Sequence, residues 1–131
     1  MVSKLKPIFM IQKKCVRNIA GKNYPSHTDP LFYKLGILKI HDLFKYNTYC
    51  FMYKYANDKC PTSFKDFFTP FGHENRTKQY KLTVPKYKNL EHFPSYQLAK
   101  VWNGLGPNFK RLESLKFFKS KVKTMLLDKY K

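Results

Sequence analysis

Three cations, Lys13, Lys14 and Arg17, crowd the segment IQKKCVRN. Set one turn apart on a helix, they have the spacing to meet adjacent phosphates along a duplex backbone, a contact that supplies affinity without sequence information. A solvated helix face is the plainer reading of the same residues. A second cluster spans residues 76–88, where Arg76, Lys78, Lys81, Lys86 and Lys88 are interleaved with Tyr80 and Tyr87 and no acid intervenes. Such a segment can track a strand electrostatically while its rings stack on bases, or it can be a surface loop whose tyrosines pack on the core. Lys116, Lys119, Lys121 and Lys123 form a third basic face, which reads first as solvation of the last helix.

Other chemistries find less support. His27, His41, His73 and His92 have no short spacing to Cys15, Cys50 or Cys60, so no zinc site is expected, and the odd set of thiols without a CxxC pair suggests no disulfide framework. His27 and His41 are read as capping or packing residues, and Cys15 and Cys50 as small core residues on apolar helix faces. Trp102 falls on an apolar stripe and reads as a core anchor. The five glycines are scattered, so there is no phosphate-cradling loop, and no Ser/His/Asp or Cys/His set is marked. No catalytic residue, metal or cofactor is expected.

The scaffold that must position these cations is one domain's worth of chain, residues 1–131, with 43% hydrophobic and 18% aromatic residues. Against 26 Lys+Arg stand 8 Asp+Glu, a net charge of +18 that exceeds what solubility needs and calls for an anionic partner. Because the charge is scattered through the folded length, nucleic acid is favoured over a membrane surface. The apolar run at residues 7–11 is too short for a signal peptide and nothing approaches transmembrane length, so an intracellular location, nucleus or cytoplasm, is expected. The sequon at Asn75 is then a chance match.

Periodicity predicts a mainly α protein, a small bundle of four to five helices with a long irregular loop. The first helix starts with Pro7 in its opening turn, buries Ile8, Ile11, Cys15 and Ile19, and stops at Ala20-Gly21. A short second helix follows Thr28 or Asp29 as cap and Pro30, ending at Gly36. A third, apolar on most sides, runs through IHDLFKYNTYCFMYKYA and should be central. SFKDFF reads as a single helical turn, and residues 70–94 lack helical periodicity but leave room for one short strand at residues 80–84. Helix returns from Ser95 to Gly104, and again after Ser114 with Leu115, Phe118, Val122, Met125 and Leu126 on one stripe.

The order of these segments resembles the region downstream of the polymerase core in non-LTR retrotransposon reverse transcriptases of the Jockey and related groups. The resemblance covers residues 11–130 and rests on IQKKCVRNIAG, HTDPLFYKLGILKIHDLFKYNTYCFMYKY, PTSFKDFF, HENRTKQYKLTVP and KVWNGLGPNFKRLESLKFFKSKVKTML, in that order. Lys14-Cys15 stands where the family usually has Arg-Ala, the family's Asn-Thr-Arg element becomes Asn75-Arg76-Thr77-Lys78, and Gly106 intervenes between Leu105 and Pro107. The resemblance implies a helical piece lying beside template and growing duplex, partnered by RNA, DNA or a hybrid, or docked on the polymerase core. It implies no catalysis here, because the family's paired aspartates belong to a palm that none of these segments matches. The residues agree: a two-metal site needs carboxylates holding ions about 3.5–4 Å apart, and the eight acids of this chain are dispersed.

Overall fold

The computed structural model describes residues 2–64, 66–68, 82–84 and 93–131, with the side chains of 2–4 excepted. Among them run six α-helices: α1 (Val2–Ile19), α2 (Asp29–Leu35), α3 (Ile40–Ala56), α4 (Pro94–Asn103), α5 (Pro107–Lys110) and α6 (Leu115–Leu127). The described residues also hold two 3-10 turns, Thr62–Phe64 and Asp128–Tyr130. The protein is therefore mainly helical, a small bundle with one helix more than the periodicity suggests. The extra one, α5, is a single turn that Pro107 opens. The chain divides into two compact units, Met1–Tyr46 with Ser120–Lys131, and Asn47–Lys119. Basic residues are shared equally: each unit holds thirteen of the Lys+Arg, against three acids in the first and five in the second.

In the first unit α1 ends as its glycine predicts. Gly21 adopts φ 61°, its N–H donates to the Asn18 carbonyl (3.1 Å), and Lys22 N–H reaches back to Arg17 (3.0 Å). These paired bonds satisfy carbonyls that the helix end would leave open. α2 closes the same way, with Gly36 at φ 62° and bonds from Gly36 and Ile37 to Tyr33 and Phe32. At its start Thr28 sits at the cap position, buried and without a side-chain capping bond, while the Asp29 carboxylate pairs instead with Lys39 Nζ (2.7 Å).

The start and the packed face of α1 differ from the sequence expectation. The helix begins at Val2, so Pro7 lies inside it; the bond lost is the one to the carbonyl of residue 3, and the damage stays in the end turn. Ile8, Ile11 and Ile19 are 50, 61 and 65% exposed, and Cys15 is exposed rather than a core residue. At about 100° per residue, the stripe that packs is the neighbouring one: Val16 is buried, Phe9 and Gln12 half-buried. The Phe9 ring lies against Phe32 (6.2 Å) and His41 (5.4 Å). Gln12 donates from Nε2 to the Leu38 carbonyl (2.8 Å) and accepts at Oε1 from Ile40 N–H (3.0 Å). Turning the isoleucines inward would strand those two backbone groups, each costing about 1–3 kcal/mol if buried without a partner. Polar satisfaction therefore selects the face.

Tyr130 anchors the chain end within this unit. Its hydroxyl donates to Asp42 Oδ2 (2.5 Å) and accepts from Lys39 N–H (3.2 Å), while Lys39 Nζ lies 4.3 Å from its ring centroid. Burial, reinforced by the Asp42 bond, pushes the phenol well above its usual range. Phe32 meets the same ring edge-on at 6.2 Å.

Aromatic packing holds the second unit. Its part of α3 buries Thr48, Tyr49, Cys50, Met52 and Tyr53, consistent with a helix apolar on most sides. Tyr53 stacks on Phe118 at 4.2 Å and donates its hydroxyl to the Leu112 carbonyl; burial first, then the nearby Glu113 charge, holds its phenol pKa above the usual value. Phe51, Phe64, Phe67, Phe68 and Tyr55 form a chain of edge-to-face contacts at 4.9 to 6.1 Å, the geometry that ring quadrupoles favour. The expected helical turn at SFKDFF is displaced to the 3-10 turn Thr62–Phe64. Trp102 is a core anchor, fully enclosed, with the Lys110 ammonium 4.9 Å from its ring.

Of the expected strand, residues 80 and 81 lie outside the described residues, and Leu82 is an isolated bridge position. What meets Leu82 is the Asn103 amide, which accepts from its N–H (2.8 Å) and donates to its carbonyl (2.7 Å). One side chain thus satisfies both backbone groups of Leu82. Ser114 opens α6 through its carbonyl, which accepts from Phe118 N–H at 2.8 Å, and through a longer hydroxyl bond to Phe117 N–H at 3.5 Å.

Candidate nucleic-acid interface

Little more than one turn of α1 carries Lys13, Lys14 and Arg17; at about 100° per residue Lys13 and Arg17 lie across the helix from Ile8 and Ile11 while Lys14 borders Ile11, and the three differ in what else they touch. Lys14 is exposed. Lys13 is half-buried, its ammonium 4.6 Å from the Phe9 ring centroid, a cation–π contact that steadies the chain without neutralising it. Arg17 is the most constrained. Its Nε donates to the Ser26 carbonyl (3.0 Å) and its guanidinium carbon lies 5.2 Å from the Tyr24 ring centroid. The described residues place no carboxylate within ion-pair distance of these three cations, so their charge faces outward uncompensated.

Arg17 also brings in a residue that the charge pattern does not single out. Tyr24 sits in the connection between α1 and α2 with 81% of its surface exposed. Lys22, exposed, follows the Gly21 turn directly. The one signal in the chain is an aromatic residue inside GKNYPS, a turn-forming stretch that follows a run of cations. No Asp or Glu occurs before Asp29, which makes residues 1–28 positive throughout.

The second basic cluster, Arg76, Lys78, Lys81, Lys86 and Lys88, together with Tyr80 and Tyr87, lies outside the described residues. On α6, Lys116, Lys121 and Lys123 are exposed and Lys119 half-buried, opposite the enclosed Phe118, Val122 and Leu126. Other cations serve the fold: Lys39 is held between Asp29 and Tyr130, Lys110 against Trp102, and Lys131 pairs with Asp128 at 2.8 Å while lying 5.1 Å from the Tyr33 ring. Sequence alone does not separate these structural cations from the outward ones.

Among the described residues no three His, Cys, Asp or Glu side chains gather as a metal-binding group. No described helix is long and apolar enough to cross a membrane. The chain matches no family model, no curated protein and no solved structure.

Proposed function

We propose that this chain binds nucleic acid through the phosphate backbone without reading sequence, as a helical piece of a non-LTR retrotransposon reverse transcriptase lying downstream of the polymerase core. The observation that carries the binding reading is the uncompensated set Lys13, Lys14 and Arg17 on α1, in a stretch without a carboxylate on a chain of net charge +18. Phosphates along a backbone recur at spacings that cations one helical turn apart can follow, and each neutralised phosphate releases counterions. The origin rests on the ordered sequence segments alone. RNA, DNA and a hybrid all offer this chemistry, in nucleus or cytoplasm alike. Polymerase activity is not part of the proposal, because the dispersed acids offer no pair to hold two metals.

The test is salt dependence. If about six phosphates are neutralised, the logarithm of the duplex binding constant falls with the logarithm of salt at a slope near −5. Replacing Lys13 and Lys14 by glutamine should flatten that slope by about 2. A wild-type response that stays flat between low and moderate salt overturns the reading, and primer extension with template and nucleotides would overturn the exclusion of catalysis.

One observation favours a second reading, a docking piece for the polymerase core with no independent activity. Ile8, Ile11 and Ile19 line one face of α1 in the open, and large apolar side chains gathered on one helix face mark contact surfaces. Under this reading the isolated chain self-associates and retains nucleic acid no better at low salt than at high.

A further inference from the structure

We propose that Tyr24 is a base-stacking platform, so that the α1 end of the first unit takes an unpaired nucleotide segment in preference to a closed duplex. This deepens the phosphate-binding reading and rests on it. The chain is rich in rings, with 12 Phe, 10 Tyr and 1 Trp; among those described, Tyr24 is the most exposed of the large hydrophobic side chains, at 81%. Burying a ring is among the largest stabilising contributions a side chain can make, so one left in water forgoes that gain.

The ring is also held in place. Ser26 N–H donates to the Asn23 carbonyl (3.1 Å) and Ser26 Oγ donates to the same oxygen (2.6 Å), closing a turn with Tyr24 and Pro25 at its tip. Arg17 clamps this turn from α1, its Nε on the Ser26 carbonyl and its guanidinium near the ring. Two points of attachment fix the ring relative to the helix, and a fixed ring loses little conformational freedom when a base settles on it. Lys22 immediately precedes the turn, and Lys14 stands about one helical turn before Arg17. An aromatic face with cations close by in the chain is what single strands require: the ring takes the base and the cations take the flanking phosphates. A duplex keeps its bases stacked on one another and offers the ring nothing but a backbone.

The full chain is titrated with a thymidine oligomer of about 15 nucleotides, within the range of single-strand sites, and with a duplex of equal length. Tyr24→Ala should weaken binding of the oligomer roughly ten-fold and change duplex binding less than about two-fold. Tyr24→Phe should bind like wild type, since it keeps the ring. Tyr24→Trp should show indole quenching that saturates with the oligomer and is absent with duplex; Trp102, being enclosed, supplies the unchanging background. Equal oligomer binding by wild type and Tyr24→Ala, with the salt slope intact for both, overturns the stacking role and leaves the phosphate reading standing. Failure of the wild-type chain to bind either probe removes both. Tyr24→Ala deletes a side chain that lies almost wholly in solvent, and thermal unfolding checks that the variant keeps its fold.

Discussion

Two helices, α1 and α6, carry much the same sequence pattern and end in opposite arrangements. Each is rich in lysine and each repeats apolar residues every three or four positions. On α6 the apolar stripe is the packed one, with Phe118, Val122 and Leu126 wholly enclosed. On α1 the stripe of Ile8, Ile11, Cys15 and Ile19 lies in the open while its neighbour, through Phe9, Gln12 and Val16, packs. The reason is the width of the apolar arc. Around α1, Leu5, Phe9, Val16 and Ala20 extend the isoleucine stripe to about half the helix circumference, more than one contact covers. Gln12 then decides the matter, because its amide completes the bonding of two backbone groups where the chain enters α3, at Leu38 and Ile40. Apolar spacing specifies that a helix forms, and where the arc is wide it does not specify the buried side.

The most damaging substitution tests the α6 half of this contrast. Phe118→Ala removes a ring stacked on Tyr53 at 4.2 Å and should lower unfolding stability by about 3–5 kcal/mol in urea titrations. A loss below about 1 kcal/mol would mean that the stripe on α6 is no more essential than that on α1.

Next comes the anchor that follows α6. Tyr130→Phe deletes the donor to Asp42 and should cost roughly 1.5–3 kcal/mol, the range for a hydrogen bond to a charged group. The effect has a pH signature. Because the folded-state phenol is raised, the Tyr130 contribution is complete below the ordinary tyrosine value of about 10 and is lost as pH climbs toward the folded value. Denaturant midpoints measured above pH 10 should fall more steeply for wild type than for Tyr130→Phe, and parallel curves would count against the anchor.

The mildest substitution bears on α1 itself. Ile11→Ser should change stability by no more than about 0.5 kcal/mol, as surface substitutions do, because the side chain is 61% exposed. A cost of about 2 kcal/mol or more would show that the stripe is covered after all and reverse the contrast.

Much of the helical plan is legible in the residues themselves. Gly21 and Gly36 announce two helix ends because only a residue comfortable at positive φ closes those turns. A third closure, after α3, is not announced, since Asp58 takes φ 54° there without being glycine. The candidate interface is legible in part. Spacing finds Lys13, Lys14 and Arg17 but passes over Tyr24, because its exposure follows from the turn that Arg17 clamps, and that clamp joins residues 17 and 26.

Local matters follow from the order of residues alone: which segments coil, where most of them stop, and that the chain carries a large positive charge. They rest on backbone preferences and side-chain counts, which act over a few residues. Packing at longer range decides which side of α1 is covered, which cations are tied up within the fold and which face outward, and that Asn103 answers the backbone of Leu82. Most of these depend on a polar group finding its partner many residues away, and such pairings leave no periodic trace in the chain.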